Sequence, residues 1–210
     1  MLRVLIADDH AVVRQGLKQI LREEFPQGIY GESENAQEVL RQVREQDWDI
    51  VILDVTLGNR SGLEVLAEIK TMCPKLPVLV LSMHPEDQYG VRMLKSGADG
   101  YLTKESAPEE IVKAIRKILA GGKYVSPSLA ERLVLELENN TNKLPHEKLS
   151  DREYQVMLMI ASGKTVTEIA EVVHLSVKTI STYRERILEK MGMKNNAELI
   201  HYAVKNHLVE

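Results

Sequence analysis

The chain has 210 residues, 44% of them hydrophobic and 28% charged, with a formal net charge of −4. That balance suits one large or two small soluble globular domains and speaks against a disordered or low-complexity chain. No apolar run approaches the ~20 residues of a membrane helix, the apolar part of MLRVLIADDH is too short for a secretory signal, and a lone Cys73 excludes an internal disulfide. A cytoplasmic protein without membrane attachment is expected. Residues 1–145 hold 18 Lys and Arg against 22 Asp and Glu, whereas 146–210 hold nine of each, and 176–194 hold five bases and two acids. This local basic stripe admits a nucleic-acid contact that the total charge conceals.

Taken in chain order, apolar runs and helical periods alternate. VLIAD (4–8) reads as a strand and 11–23 as a helix through Val13, Leu17, Ile20 and Leu21. Strands follow at 29–33, 49–54, 77–82 and 99–103, interleaved with helices at 35–46, 62–72, 86–95 and 108–119, the last stopped by Gly121-Gly122. Five near-continuous apolar strands alternating with five helices predict a doubly wound parallel α/β sheet, (βα)5, covered on both faces. Right-handed crossovers then bring all strand carboxyl ends to one edge, where ligands bind.

A further helix is expected over 127–138, with Pro127 in its first turn. NNTNKLPHEK (139–148) has turn formers and no period, and reads as a linker. The tail predicts a small all-α domain of four helices. Ser150/Glu153, Thr165/Glu168 and Asn195/Glu198 have capping-box spacing, and Ser176 is a further N-cap.

The strand ends carry unusual chemistry. Asp8 and Asp9 close the first strand, Asp54 the third, Ser82 the fourth and Thr103-Lys104 the fifth. One strand-end aspartate is ordinarily a cap or turn residue. Three carboxylates on one edge repel unless a cation neutralises them, and oxygen ligands with room for water suit Mg²⁺. A cation, an ammonium, a hydroxyl and a nucleophilic carboxylate are what phosphoryl transfer to an aspartate needs. His10 reads as a first-turn residue rather than a metal ligand.

Asp8-Asp9, Asp54, Ser82, Tyr101 and Lys104 resemble, in order and spacing, the receiver domain of two-component response regulators. The resemblance implies that Asp54 is the phosphoacceptor, that Asp9, Asp54 and the backbone carbonyl of Thr56 bind Mg²⁺, and that Asp8 assists through water. It further implies that Ser82 and Lys104 hold the phosphoryl group, and that Tyr101 is a switch aromatic swinging inward as Ser82 moves. Gly58 stands where many relatives have proline, which would leave the loop after Asp54 looser. Trp48, six residues before Asp54, reads as core or edge packing.

Within 149–192, a short helix, an HLS turn and a longer helix starting at Ser176 form a helix-turn-helix pattern, with Lys178, Ser181, Thr182 and Arg184 on its early turns. The LSDRE opening, GKTVTEIA and LSVKTISTYRERILEKM resemble the LuxR-type helix-turn-helix of NarL/FixJ response regulators. Glu185 stands where some relatives have lysine, so no base code carries over. The helix 195–208 matches the family's fourth helix, which serves dimerisation there.

The expected layout is a receiver at 1–122, a linker helix and linker at 123–148 and the DNA-binding domain at 149–210. The expected function is a transcription regulator, not an enzyme. A sensor histidine kinase phosphorylates Asp54, and a homodimer then binds promoter DNA through Lys178, Ser181, Thr182, Arg184 and Arg186, with RNA polymerase a further partner. Two alternatives stand beside it. An aspartyl-phosphate hydrolase commonly has a second Asp two residues after the nucleophile, where this chain has Thr56. A phosphorylation-independent transcription factor would leave the acidic set without a use.

Overall fold

A computed structural model describes residues 1–58, 60–83, 86–138, 144–206 and 208–209. It divides into two compact units, Met1–Val134 and Leu135–Glu210.

The first unit follows the predicted alternation. Strands β1 (Arg3–Ala7), β2 (Ile29–Ser33) and β3 (Ile50–Asp54) are joined by helices α1 (Ala11–Glu24) and α2 (Ala36–Glu45). A short antiparallel pair, β4 (Thr56–Leu57) with β5 (Arg60–Ser61), then leads into α3 (Gly62–Met72). After it come β6 (Val78–Ser82), α4 (Glu86–Lys95), β7 (Gly100–Thr103), α5 (Ala107–Leu119) and α6 (Pro127–Glu138). The main sheet is parallel throughout, in the order β2-β1-β3-β6-β7.

Alternation of side chains divides the core between the two faces. Val4, Ile6, Ile50, Ile52, Leu79 and Leu81 pack with Leu17 and Leu21 of α1 and Ile111 and Ile115 of α5. Their neighbours Leu5, Val51, Leu53 and Val80 are buried on the opposite face. Both faces being covered, the strands can be apolar at every position, which is why they read as unbroken runs. Helix α5 ends as predicted: Gly121 adopts φ +85°, and the N–H groups of Gly121 and Gly122 donate to Ile118 and Lys117. Trp48 packs over Gly31 and donates its indole N–H to Gln42 O at 3.1 Å.

The segment after α5 stays with the sheet. Tyr124 bridges Gly100 at the β7 edge, donating to Asp99 O at 2.9 Å and accepting from the Tyr101 N–H at 3.1 Å. Ser126 hydrogen-bonds Glu86 of α4, and Leu129 of α6, fully buried, fills a notch over Gly90. A Cβ on Gly90 would come within 2.7 Å of a Leu129 methyl, so a larger residue there would have to displace the Leu129 side chain.

The second unit holds a 3-10 turn (Pro145–Lys148) and helices α7 (Asp151–Ala161), α8 (Val166–Val172), α9 (Val177–Met191) and α10 (Asn196–Lys205). Residues 139–143 of the expected linker lie outside the described residues. Its end is ordered into the unit, with His146 Nδ1 2.8 Å from the Tyr202 hydroxyl. Ser150 and Thr165 form the predicted capping boxes. Asn195 caps α10, but the Glu198 carboxylate accepts from Lys194 N–H instead, so that box is half made. Tyr154, Met157, Ile169, Ile180, Ile187 and Leu199 form the buried centre. Among the described residues no helix is long and apolar enough to cross a membrane.

Candidate functional site

Parallel pairing brings the strand-end residues together. Asp54 stands opposite Leu81 in the β3–β6 register, Ser82 opposite Thr103, and the Lys104 N–H donates to Ser82 O at 2.7 Å. Asp8, just past β1, is fixed by its N–H to Ser33 O and by Arg14 Nη1 donating to its carbonyl at 2.7 Å. Asp54 is 4% exposed, and Asp8 and Ser82 are also buried.

Lys104 reaches across the edge, its Nζ 2.8 Å from Asp54 Oδ2 and 2.6 Å from Asp8 Oδ2. Burial pushes the Asp54 carboxyl up to about 6; Lys104 opposes the rise, and the Asp8 charge adds to it. Burial disfavours the charge on Lys104, but the Asp54 and Asp8 carboxylates outweigh it and hold the ammonium above its ordinary value.

Asp8, Asp9, His10 and Asp54 each present a ligand atom within 4.8 Å of the others. Asp8 Oδ2 and Asp9 Oδ1 are buried, with Lys104 Nζ 2.6 Å from the first and His10 Nδ1 2.6 Å from the second, so three carboxylates converge on a single ammonium. This surplus of anionic oxygen fits a hard divalent cation such as Mg²⁺. His10 both precedes the first turn of α1 and joins the cluster, its Nδ1 2.6 Å from Asp9 Oδ1. The Thr56 backbone donates to the Asp54 carboxyl. Gly58 adopts φ +58° and points its N–H at Asp9 Oδ2, 3.4 Å away, so the loop is tied to the cluster by a donor that proline lacks.

Tyr101, in the middle of the site's last strand, is wholly enclosed. Its backbone bond to Tyr124 links the sheet edge to the segment that enters α6.

In the second unit, the α8–α9 turn passes through His174 at φ +53°, a left-handed position held by His174 N–H to Glu171 O and Leu175 N–H to Ala170 O. Ser176 caps α9, and Ile180 and Ile187 anchor its inner face. Lys178, Thr182 and Arg186 are exposed, while Ser181 and Arg184 are half-buried. Arg184 is held from the side, its Nε donating to Asn196 Oδ1 at 2.7 Å. Lys190 is paired with buried Glu153 at 2.6 Å. Sequence reasoning did not find the Arg14, Asn196 and Tyr124 contacts, which join positions remote in the chain and carry no local spacing signal.

The model of the response regulator receiver domain matches residues 4–116, and that of the bacterial regulatory proteins of the luxR family matches 147–203. Response regulator UvrY of Escherichia coli K12 is 34% identical over 99% of this chain and 96% of its own. Response regulator GacA of Pseudomonas aeruginosa PAO1 is 36% identical over 100% of this chain and 99% of its own. Among solved structures, RcsB of Salmonella enterica serovar Typhimurium, bound to promoter P1flhDC with the phosphomimetic BeF3−, is 28% identical with a TM-score of 0.60. That match covers 96% of this chain and 97% of the RcsB chain. An RcsB–DNA complex matches 100% of this chain and 99% of its own at 27% identity and a TM-score of 0.59. With a strand-end acidic cluster on a five-stranded parallel sheet and, later in the chain, a capped helix-turn-helix, the chain belongs to the NarL/FixJ family of DNA-binding response regulators and is a transcription regulator rather than a classical enzyme.

Proposed function

We propose that Asp54 is the phosphoacceptor of this regulator, charged by a sensor histidine kinase. The observation that carries the reading is the placement of a buried strand-end carboxylate 2.8 Å from the Lys104 ammonium, inside a cluster with an oxygen surplus. Asp54 Oδ attacks phosphorus, the donor's bond to phosphorus breaks, and an aspartyl phosphate forms. Asp9, Asp54 and the Thr56 carbonyl would hold Mg²⁺, with Asp8 assisting through water. When bound there, such a cation would supply charge neutralisation for the phosphoryl oxygens. Lys104 exchanges its carboxylate contact for one to the phosphoryl group, and Ser82 supplies a hydroxyl beside it.

Ser82 and Tyr101 then carry the change outward. The domains are a receiver at 1–122, a connecting segment at 123–148 and a DNA-binding domain at 149–210. The phosphorylated chain forms a homodimer in the cytoplasm and binds promoter DNA, two weak half-sites gaining affinity through effective concentration. Helix α9 enters the major groove with Lys178, Ser181, Thr182, Arg184 and Arg186, and RNA polymerase is the downstream partner. That the RcsB relative is bound to promoter DNA in the presence of phosphomimetic BeF3− supports this reading.

The experiment is to incubate the full chain with an acyl phosphate and Mg²⁺ and map the modified residue by mass spectrometry after borohydride reduction. Modification at Asp54, absent from Asp54→Ala and from chelator-treated protein, is the expected result. Modification elsewhere, or equally in Asp54→Ala, overturns the reading.

A further inference from the structure

The outward face of α9 is centred on an acid. At ~100° per residue, Glu185 lies within about 20° of Lys178 around the helix, and Arg184 and Arg186 flank it at about 100° on either side. Glu185 is exposed and makes no hydrogen bond or ion pair among the described residues. Its neighbours on the same face are acceptors too. The Ser181 hydroxyl donates to Val177 O at 3.0 Å and the Thr182 hydroxyl to Lys178 O at 3.1 Å, so each turns its hydrogen into the helix and its lone pairs outward. Between the two arginines the face therefore offers acceptors, with Lys178 the donor at its early end.

A carboxylate facing DNA meets phosphate repulsion on every sequence. Only a base amino group offsets it, and in the major groove those are cytosine N4 and adenine N6; carboxylates pair with cytosine N4. We infer that Glu185 is a specificity-determining residue that accepts a hydrogen bond from cytosine N4 in each half-site. The inference rests on the reading of α9 as the groove helix. Glu185 lowers affinity for all DNA and restores it where the cytosine stands, so discrimination comes as much from rejection as from attraction. The flanking arginines contact the backbone, where Asn196 already orients Arg184.

The test is selection from random duplex oligonucleotides by the full chain with Mg²⁺ and beryllofluoride, for wild type, Glu185→Ala, Glu185→Gln and Lys178→Ala. Wild type is expected to select a cytosine at one position per half-site. Glu185→Ala should lose about tenfold of that preference while binding unselected DNA at least as tightly. Glu185→Gln should move the preference to adenine, whose N6 and N7 match an amide. An unchanged selected sequence in both Glu185 variants, with affinity raised equally on all DNA, overturns the inference, as does a wild type without the cytosine. Lys178→Ala separates the two levels. If it weakens binding while Glu185 proves indifferent, only this inference fails; if it too changes nothing, the groove reading of α9 fails with it.

Discussion

Lys104 Nζ stands 2.8 Å from Asp54 Oδ2 and 2.6 Å from Asp8 Oδ2, one cation held between two buried carboxylates that end different strands. The arrangement is under electrostatic tension: three groups share one interior edge, and the negative charges outnumber the positive one. Replacing Lys104 with methionine removes the cation and keeps the bulk. The variant should lose about 3 kcal/mol of stability at pH 7, the order expected when a buried charge loses its partner. Much of that loss should return on acidification as Asp54 takes a proton. Chemical denaturation at pH 7 and pH 5 measures both.

The Asp54 carboxyl itself carries a pH signature. Its folded-state value of about 6 lies above the ordinary 3.8, so the folded chain holds the proton more tightly than the unfolded one. The stabilisation is complete below about pH 4, is lost as pH rises through 6, and stays lost above. Its full size is ~3 kcal/mol, the shift of about two pH units at ~1.4 kcal/mol each. Asp54→Asn, which cannot ionise, should therefore be more stable than the parent at pH 7.5 without Mg²⁺ by up to ~3 kcal/mol. The two should converge near pH 4. Thermal melts across that range in chelator-treated buffer show whether the gap closes in this direction.

How far the sequence foretells such relationships depends on how local they are. The five strands and the helices between them were legible because burial on both faces makes each strand a run and each helix a stripe. Convergence of Asp8, Asp9, Asp54, Ser82 and Lys104 followed from topology alone, since parallel strands share a carboxyl edge. The β4–β5 pair was illegible, two residues a side being too short for any period. His10 was read as a first-turn residue, and no spacing rule could show its ring folding back onto Asp9. Similarly, the Asn195/Glu198 spacing promised a closed capping box, but the carboxylate accepts from the Lys194 N–H one residue earlier, which the same spacing equally allows.

Docking of α6 on α4 was equally hidden, because the Gly90 notch signals itself only through the absence of a side chain. Leu129→Ala empties that notch and should destabilise the first unit by about 2–4 kcal/mol. It should also raise hydrogen exchange across 127–134 more than across the sheet. Uniform exchange through the unit would mean that α6 contributes no separate contact.

The α8–α9 turn gives a prediction of opposite sign. His174 occupies a left-handed conformation at φ +53° that costs a side-chain-bearing residue about 1–2 kcal/mol, partly offset by glycine's greater unfolded freedom. His174→Gly should accordingly stabilise the second unit by roughly 0.5–1 kcal/mol. Denaturant midpoints of the full-length variant and parent, followed by a probe in that unit, decide it.

In the proposed switch, a phosphoryl group on Asp54 drives assembly. Sedimentation velocity of the full chain in Mg²⁺, before and after beryllofluoride, reads this directly, with Asp54→Ala as the control. The predicted result is a monomer that becomes a dimer in the parent protein alone. An unchanged mass in the parent, or the same shift in Asp54→Ala, would contradict it.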